Sequence, residues 1–439
     1  MRPTARGHVG AVRLGIYVGV LALVALAAPL ALAAQQRDST AKRSRADSLR
    51  GDSARAADSL ALVRELEASA ASTRPAAAAQ GPSGPSNPRL LPDLSAVADL
   101  IGDLSPKGST QEGGSRLGIR EVEVAIQAAV DPFFRGDIYF GFSDAEGASI
   151  EQAYLTATSL PWGLELRAGR LLLPVGKANT THRHDLHTFE YPWVLQRFLG
   201  PEGLKGTGLY ASRIFSPFGF YQEVILTAMD RFGEAPEGLQ ATEQPNRRLA
   251  GMGYSARLRN YWDLSQAANV ELSASAVTGR REQPVTGAAG VNATLARQSV
   301  VGGDVTFRWR PLQQGLYRSF ILQGELLRQL NERSPSLPAA SGPVTYDGPT
   351  RDFTGGYAFA RWQLSRRGYL GARIDALQDP AYGGGTTRAA SGYLQFYPSE
   401  FSKLLAGVER VAPPSGNART TRVILQATFA LGPHKPHPF

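Results

Sequence analysis

The chain of 439 residues contains no cysteine and only three methionines. Without cysteine it can form no disulfide bond, no thiolate metal site, no cysteine nucleophile and no lipid-anchored cysteine. Any transition metal must therefore be bound by histidine and carboxylate side chains. Histidine is scarce as well, with six in the whole chain.

Strong charge and long apolar runs are also missing from the body of the chain. Charged residues make up 19% of the sequence, and Arg2, Arg6 and Arg13 supply three charges of the formal net +9. No arginine-rich run or aromatic-basic motif is present, so we expect no nucleic-acid partner. Abundant glycine with moderate charge favours one large β-barrel over two or three small domains.

The amino terminus has the layout of a secretory signal. A basic start precedes an apolar run from Leu14 to Leu32, which Pro29 breaks and a small-residue site follows. We predict a signal peptide at residues 1–34, with a retained transmembrane anchor as the alternative. Residues 35–92 are first polar and then rich in Ala, Pro, Gly and Ser, which predicts a helical or disordered periplasmic extension and linker.

From Asp93 onward, apolar and polar residues alternate with a period of two, as in Glu121–Ala128. This pattern predicts β-strands, and sixteen can be placed within residues 93–431, most of them long enough to cross a bilayer. Connections after even-numbered strands are short. Those after odd-numbered strands are mostly longer, as at 174–204, 230–247, 280–298 and 331–351. The asymmetry predicts an all-β, antiparallel transmembrane barrel of about 16 strands in the outer membrane of a Gram-negative-type bacterium.

The polar faces of these strands are predicted to line a wet lumen, while the apolar faces contact lipid. The lumen would carry both signs of charge, and no ring of one sign that would set ion selectivity is evident. The predicted lumen-lining residues are Glu121, Glu123, Arg135, Asp137, Arg167, Arg257, Arg259, Asp304, Arg308, Arg373 and Asp375.

Five of the six histidines fall in two short clusters. His182, His184 and His187 lie beside Arg183 and Asp185 in the irregular segment 174–204, and two more lie in the carboxy-terminal tail 432–439. Imidazoles and a carboxylate suit zinc, copper or nickel, so the three loop histidines are candidate Zn²⁺ ligands. The alternative is that they bond to the backbone and to lumen carboxylates and fix the shape of the loop. The two clusters are expected on opposite sides of the membrane and are not joined into one site.

Several segments carry a family resemblance. They are Arg120–Val124, Val130–Phe134, Ile150–Tyr154 and Leu166–Arg170, followed by Gly176, Asn179, His182, His184, Pro192, Gly200, Gly203 and the tail from Gly432 to Phe439. Together they resemble porin-like outer-membrane proteins often labelled zinc-regulated TonB-dependent receptors. The overall plan is similar to that of phosphate-selective porins, which have a sixteen-stranded barrel and an amino-terminal helical extension.

By analogy with sixteen-stranded porins, the third outer loop, 174–204, is expected to fold into the barrel and narrow it. The constriction would then contain His182, Arg183, His184, Asp185 and His187. The predicted function is a channel for small hydrophilic solutes or ions, with metal ions as a specific candidate. Its partners would be outer-membrane lipid, these solutes and, in a trimer, further copies of the chain.

Two alternatives stay open. The first is a structural or surface-binding barrel that does not conduct. The second and less favoured is an outer-membrane lipase or protease, for which the sequence offers no Gly-x-Ser-x-Gly and no His-Glu-x-x-His motif. We therefore predict that the protein is not an enzyme.

Overall fold

The computed structural model describes residues 92–111, 114–144, 147–233, 248–287, 290–333, 345 and 347–432. In this part of the chain, sixteen antiparallel strands close into one barrel, in which consecutive strands pair and the first strand pairs with the last. The predicted all-β, sixteen-stranded barrel is confirmed. The predicted signal peptide, residues 35–91 of the extension, and the tail histidines His434 and His437 lie outside the described residues.

The strands are β1 (Asp93–Asp103), β2 (Leu117–Ala129), β3 (Phe134–Ser143), β4 (Gly147–Ala157), β5 (Leu164–Leu172), β6 (Lys205–Phe215), β7 (Tyr221–Met229), β8 (Gly253–Ser265), β9 (Ala268–Gly287), β10 (Gly290–Trp309), β11 (Phe320–Arg333), β12 (Thr350–Gln363), β13 (Gly368–Asp379), β14 (Gly385–Ser399), β15 (Ser402–Ala412) and β16 (Thr420–Leu431). One α-helix, α1 (Trp193–Phe198), lies between β5 and β6.

The strands bury polar residues and expose apolar ones, which is the reverse of a water-soluble sandwich. In β13, for example, Leu370 and Ile374 are exposed whereas Arg373 and Asp375 are buried. The exposed apolar faces suit contact with lipid. Closure of the barrel lets neighbouring strands satisfy the backbone polar groups that lipid would otherwise leave unpaired. No helix among the described residues is long and apolar enough to cross a membrane.

The two ends of the barrel differ in their connections. The end with short connections, called the turn end below, has turns such as 130–133, 364–367 and 400–401, although the connection 310–319 is longer. The opposite end, called the loop end, has the long connections 173–204 and 230–252. The short turns of such barrels are periplasmic.

One predicted loop is wrong. The segment 280–298 was expected to be irregular, but β9 and β10 continue through it as a paired hairpin up to Gly287 and Gly290. Arg280, Arg281 and Glu282 offer no alternating apolar face. A strand that extends beyond the bilayer into water needs no such face, so the alternation that marks the membrane-crossing part is absent there.

The main apolar core lies inside the barrel, between the connection from β5 to β6 and the inner faces of the strands. Val175, Phe189, Val194, Leu195 and Phe198 of this connection are fully buried. They belong to one cluster with inward-facing apolar residues of the wall: Met229, Val277, Val300, Leu327, Phe353, Leu377 and Tyr393. Each fully buried side chain of this size stabilises the packing by about 1.5–3 kcal/mol. The connection is therefore a packed part of the structure.

Candidate pore constriction

Residues 174–204, called the inner loop below, leave and re-enter the wall at adjacent points. The backbone N–H of Leu173 donates to the carbonyl of Leu204 at 2.9 Å. Asn179 closes this base, because its side-chain amide donates to the carbonyls of Leu173 and Leu204, and its oxygen accepts from the N–H of Leu204 at 2.6 Å. The inner loop is thus an inserted segment whose two ends lie side by side, because it connects the paired neighbouring strands β5 and β6.

On its way across the barrel, the inner loop first contacts the inner face of β8 to β11. The N–H of Gly176 donates to Ser275 Oγ at 3.0 Å, and the Gly176 carbonyl accepts from Arg257. Arg257 is also paired with Asp304 at 2.9 Å, and both are buried. Lys177 forms an ion pair with Glu271 at 3.0 Å. These contacts fix the first turn of the loop to that wall.

The second part of the loop is held by a buried ion network on β13, β15 and β16. Arg373 pairs with Asp375 at 2.9 Å and with Glu409 at 3.2 Å, and Arg422 pairs with the same Glu409 at 3.1 Å. Arg373 also donates to the carbonyl of Glu190 at 2.7 Å. The N–H of Trp193, at the start of α1, donates to Asp375 at 3.0 Å. The network therefore binds loop backbone as well as neutralising its own charges.

The histidine segment 182–187 contacts wall residues that lie near the turn end. Lys403, in the second position of β15, donates to the carbonyls of His184 and Leu186. Arg361, two residues before the end of β12, contacts the ring of His187 at 3.3 Å. Both strand positions adjoin short turns, so the loop crosses most of the depth of the barrel.

His182 and His184 meet a carboxylate of β2. His182 Nδ1 lies 2.8 Å from Glu123 Oε2, and His182 Nε2 lies 2.7 Å from the side-chain amide of Gln152. One ligand atom from each of Glu123, His182 and His184 can be chosen so that all lie within 4.8 Å of one another. The donor set of two imidazoles and one carboxylate suits Zn²⁺.

The two histidines differ in charge. Burial disfavours the imidazolium of His182, but the Glu123 carboxylate, together with Asp185 and Glu121, outweighs burial and raises the pKa of His182 to about 9. Burial dominates at His184 and lowers its pKa to about 4. Without a bound ion, His182 is therefore an imidazolium paired with Glu123 at neutral pH, and His184 is a neutral imidazole; a metal ion that bound His182 would displace its proton.

The wall formed by β3 to β7 contacts the inner loop through residues such as Gln152 and Met229 but also keeps charged side chains exposed. Arg135 on β3 and Arg167 on β5 keep 45% and 31% of their side chains exposed, and Glu165 keeps 39%. Arg167 lies over the rings of Tyr154 and Tyr210, at 5.4 and 4.9 Å from the ring centres. This side of the lumen presents charged and aromatic surface to solvent.

A cavity of about 550 Å³ opens at the loop end between the inner loop and the wall. Its lining includes Arg120, Glu121 and Glu151 from the wall, and Arg183, Arg197 and Glu202 from the loop. The cavity lining carries both positive and negative side chains, as does the wall formed by β3 to β7. The cavity can hold small polar solutes or hydrated ions.

The structure separates the three loop histidines. His182 and His184 lie together beside Glu123, but His187 stacks on Phe359 and contacts Arg361 on the opposite wall. A short 3₁₀ turn at Arg183–Asp185 lies between them. Arg183 pairs with Glu190 at 3.1 Å, and Asp185 lies 3.7 Å from His184.

The predicted lumen residues occupy inner positions of different kinds. Arg257, Asp304, Arg373 and Asp375 are buried in the ion networks that hold the loop, and Glu123 lies against His182. Asp137 is buried beside the half-exposed Arg135, whereas Arg259 and Arg308 are one-third exposed around Glu271. Glu121 lines the cavity at the loop end.

Two inward-facing residues were missed because β-bulges break the alternation. The pairing of β2 with β1 shifts between Asp99 and Leu100, so Arg120 and Glu121 both face inward, and Arg120 pairs with Asp99. A similar shift in the pairing of β3 with β4 turns Glu151 inward beside Gln152. An extra residue at a bulge is invisible to a strict period of two.

Three other residues were missed although a sequence signal existed. Lys403 and Glu409 share one face of β15, which alternates regularly, and Arg361 has an inward position in β12. All three hold the loop or the ion network that supports it. Their spacing alone identifies the inner face of their strands.

Comparison with known proteins supports the architecture. No protein-family model matches the chain. An uncharacterized protein of Aquifex aeolicus (strain VF5) is 26% identical over 336 residues, which cover 72% of this chain and 69% of the relative.

Two solved structures are similar at the level of the fold. OmpT, an outer-membrane protein of Vibrio cholerae in trimer form, gives a TM-score of 0.50 at 9% identity, covering 77% of this chain and 99% of its own. An anion-selective porin from Comamonas acidovorans gives a TM-score of 0.50 at 10% identity, with the same coverage. These matches do not show that the chain is a TonB-dependent receptor, as the name of the family that the sequence resembles would suggest. The chain has the fold of outer-membrane porins.

Proposed function

We propose that this protein is a porin-type channel for small hydrophilic solutes or ions in a bacterial outer membrane, with the inner loop as its constriction. The observation that carries the proposal is the unequal packing of the inner loop. It is fixed to one side of the barrel, while β3 to β7 keep partly exposed charged side chains opposite it. A polar strip beside a fixed loop is what a narrow aqueous path requires.

Mixed charge favours hydrophilic solutes or ions of either sign over one strongly selected ion. Arg135 and Arg167 are partly exposed beside Asp137 and Glu165, to which they are paired. Transition-metal ions are a specific candidate cargo because His182 and His184 of the inner loop lie beside Glu123 of β2. We do not propose the energy-dependent uptake that the name TonB-dependent receptor would imply.

Single-channel recording in planar bilayers tests the proposal. The full chain, refolded into detergent and inserted into the bilayer, should give discrete conductance steps. A matched variant joins Leu173 to Leu204 through an Asn-Gly turn, because these residues are already hydrogen-bonded across the base of the loop. Its steps should be several-fold larger, since the segment inside the barrel is gone.

The burial of apolar side chains of the inner loop favours a second candidate, a barrel closed by its own loop that serves a structural or surface-binding role. Phe189, Val194, Leu195 and Phe198 are fully buried against the wall. In that case the folded full chain gives no steps, while the variant without the inner loop conducts. Equal conductance of both proteins would contradict the role of the loop as the constriction.

A trimer is the proposed assembly, since the similar OmpT structure is described in trimer form. Outer-membrane lipid would then contact the exposed apolar faces that remain outside the interface. Mass measurement of the detergent-solubilised protein, with the detergent contribution subtracted, tests this. A protein of single-chain mass under conditions that preserve the fold would contradict it.

A further inference from the structure

Glu123, His182 and His184 differ from the other charged groups of the lumen in their chemistry. The networks around Arg257 and Arg373 pair guanidinium groups with carboxylates and hold loop backbone. The group on β2 instead brings two imidazoles to a carboxylate. Imidazole and carboxylate together form the usual ligand set of zinc and related transition metals in sites without cysteine.

The spacing of the three donors is close to that of a metal site. Ligands about 2.1 Å from a tetrahedral Zn²⁺ are about 3.4 Å from one another. Here the donor atoms lie within 4.8 Å of one another, and His182 Nδ1 is 2.8 Å from Glu123 Oε2. Side-chain rotations that move the ends by about 1 Å would bring all three to one ion.

The surroundings favour a fixed site with one open position. Glu123 stands on the rigid strand β2, while Lys403 fixes the backbone of His184 by donating to its carbonyl. Asp185 lies 3.7 Å from His184 and adds a second negative charge near the donors. Three protein ligands leave a fourth position for water, for Asp185 or for a passing solute.

We propose that Glu123, His182 and His184 bind one divalent transition-metal ion of the zinc type and that this ion joins the inner loop to β2. The site spans the junction between the closely packed side of the barrel and the wall of β3 to β7. A bound ion would therefore hold the loop edge that borders the proposed path. His187 is outside the site, because it lies against Phe359 and Arg361.

The direct test measures metal binding by the purified full chain, prepared without a polyhistidine tag and with His434→Gln and His437→Gln. After treatment with a chelator, the protein is titrated with Co²⁺ by visible absorption and with Zn²⁺ by calorimetry. We expect one ion per chain and the intense visible bands of four-coordinate Co²⁺. His184→Gln, His182→Gln and Glu123→Gln should each weaken binding by at least about tenfold.

His187→Gln is the matched control, since it removes an imidazole from the same loop but outside the site. It should bind metal like the parent protein. Circular dichroism establishes that each variant is folded, and His182→Gln serves if the buried His184→Gln does not fold. The proposal is overturned if the folded parent binds neither ion, or if His187→Gln weakens binding as much as the ligand variants do.

The effect on conduction rests on the proposed channel function and is measured separately. Zn²⁺ should reduce the conductance or the current noise of the parent protein reversibly, and it should leave His184→Gln and His182→Gln unchanged. A protein that binds metal but never conducts contradicts the channel function alone. A protein that conducts but binds no metal overturns the site alone.

Discussion

The two sides of the barrel hold the inner loop in different ways. Along β13 to β16, the ion network that supports the second part of the loop is buried, with Arg373, Asp375 and Glu409 at most 1% exposed in their side chains. Along β3 to β7, the side chains of Arg135 and Arg167 remain 45% and 31% exposed although each forms an ion pair. The same residue types therefore serve two purposes, which their exposure distinguishes.

Burial decides which purpose an ion pair can serve. A buried charge that loses its partner is costly because little solvent replaces the lost interaction. An exposed pair contributes little to stability, since water and salt screen it, but its charges remain accessible to a solute. We infer that the first side determines the position of the loop and the second side determines what passes it.

The largest expected effect comes from removing Glu409, which accepts from both Arg373 and Arg422. Glu409→Ala leaves two buried guanidinium groups without this carboxylate and should lower the free energy of unfolding by about 3–5 kcal/mol. The measurement is urea-induced unfolding of the detergent- or lipid-inserted protein, followed by tryptophan fluorescence.

Glu165→Ala is the matched control, because it removes the carboxylate partner of Arg167 on the other side of the barrel. It should cost about 1 kcal/mol or less, since this pair is exposed. Equal losses for the two variants would show that exposure does not separate the two sides.

A smaller effect is expected where the loop backbone meets the wall most closely. Gly176 has a positive φ of 69°, and a Cβ at this position would collide with the carboxylate of Glu325. Gly176→Ala should cost about 1–3 kcal/mol through overpacking, in addition to about 1–2 kcal/mol for the left-handed conformation. It should also increase open-channel current noise by loosening the loop.

Gly108→Ala separates these two contributions. Gly108 has a φ of 114°, and a Cβ there would meet no atom within 4 Å. The substitution should therefore cost only the conformational strain and leave the current noise unchanged. A noise increase of the same size in both variants would argue against a specific role of the contact between Gly176 and the wall.

The fold could be predicted from the sequence because a transmembrane strand must alternate along its whole length. In β13, Leu370 and Ile374 alternate with Arg373 and Asp375. This alternation predicts the strand and also which residues lie on each of its two faces. The rule fails where its physical cause is absent. At Arg280, Arg281 and Glu282 the β9–β10 hairpin continues without an alternating apolar face, and at the bulges beside Arg120 and Glu151 one extra residue shifts the faces.

The candidate site was harder to predict from the sequence than the fold, because its members are distant along the chain. The proximity of His182 and His184 follows from their spacing, but only the barrel and the path of the loop bring Glu123 to them. The spacing alone also groups His187 with them. In the structure, the chain after the 3₁₀ turn at 183–185 leads away from the site and places His187 against Arg361. Local sequence contains no signal for either outcome.

A moderate effect on selectivity, with little effect on stability, is expected on the exposed side. Arg167→Gln removes a positive charge that lies over Tyr154 and Tyr210 and is 31% exposed. A unit charge about 4 Å away in water is worth about 1 kcal/mol, so the permeability ratio should shift toward cations by up to about fivefold. Reversal potentials in a salt gradient measure this ratio, and an unchanged ratio would place the solute path elsewhere.

The smallest effect is expected for an ion pair outside the lumen. Arg328 on β11 and Asp352 on β12 lie 2.9 Å apart with side chains 49% and 41% exposed, and Arg328 faces away from the buried residues Leu327 and Gln329. Arg328→Gln should change the free energy of unfolding by less than about 1 kcal/mol and should leave the reversal potential unchanged. Urea unfolding and bilayer recording test both values. If Arg328→Gln shifts selectivity as Arg167→Gln does, net charge rather than position in the lumen controls permeation, and the distinction between the two sides loses its functional meaning.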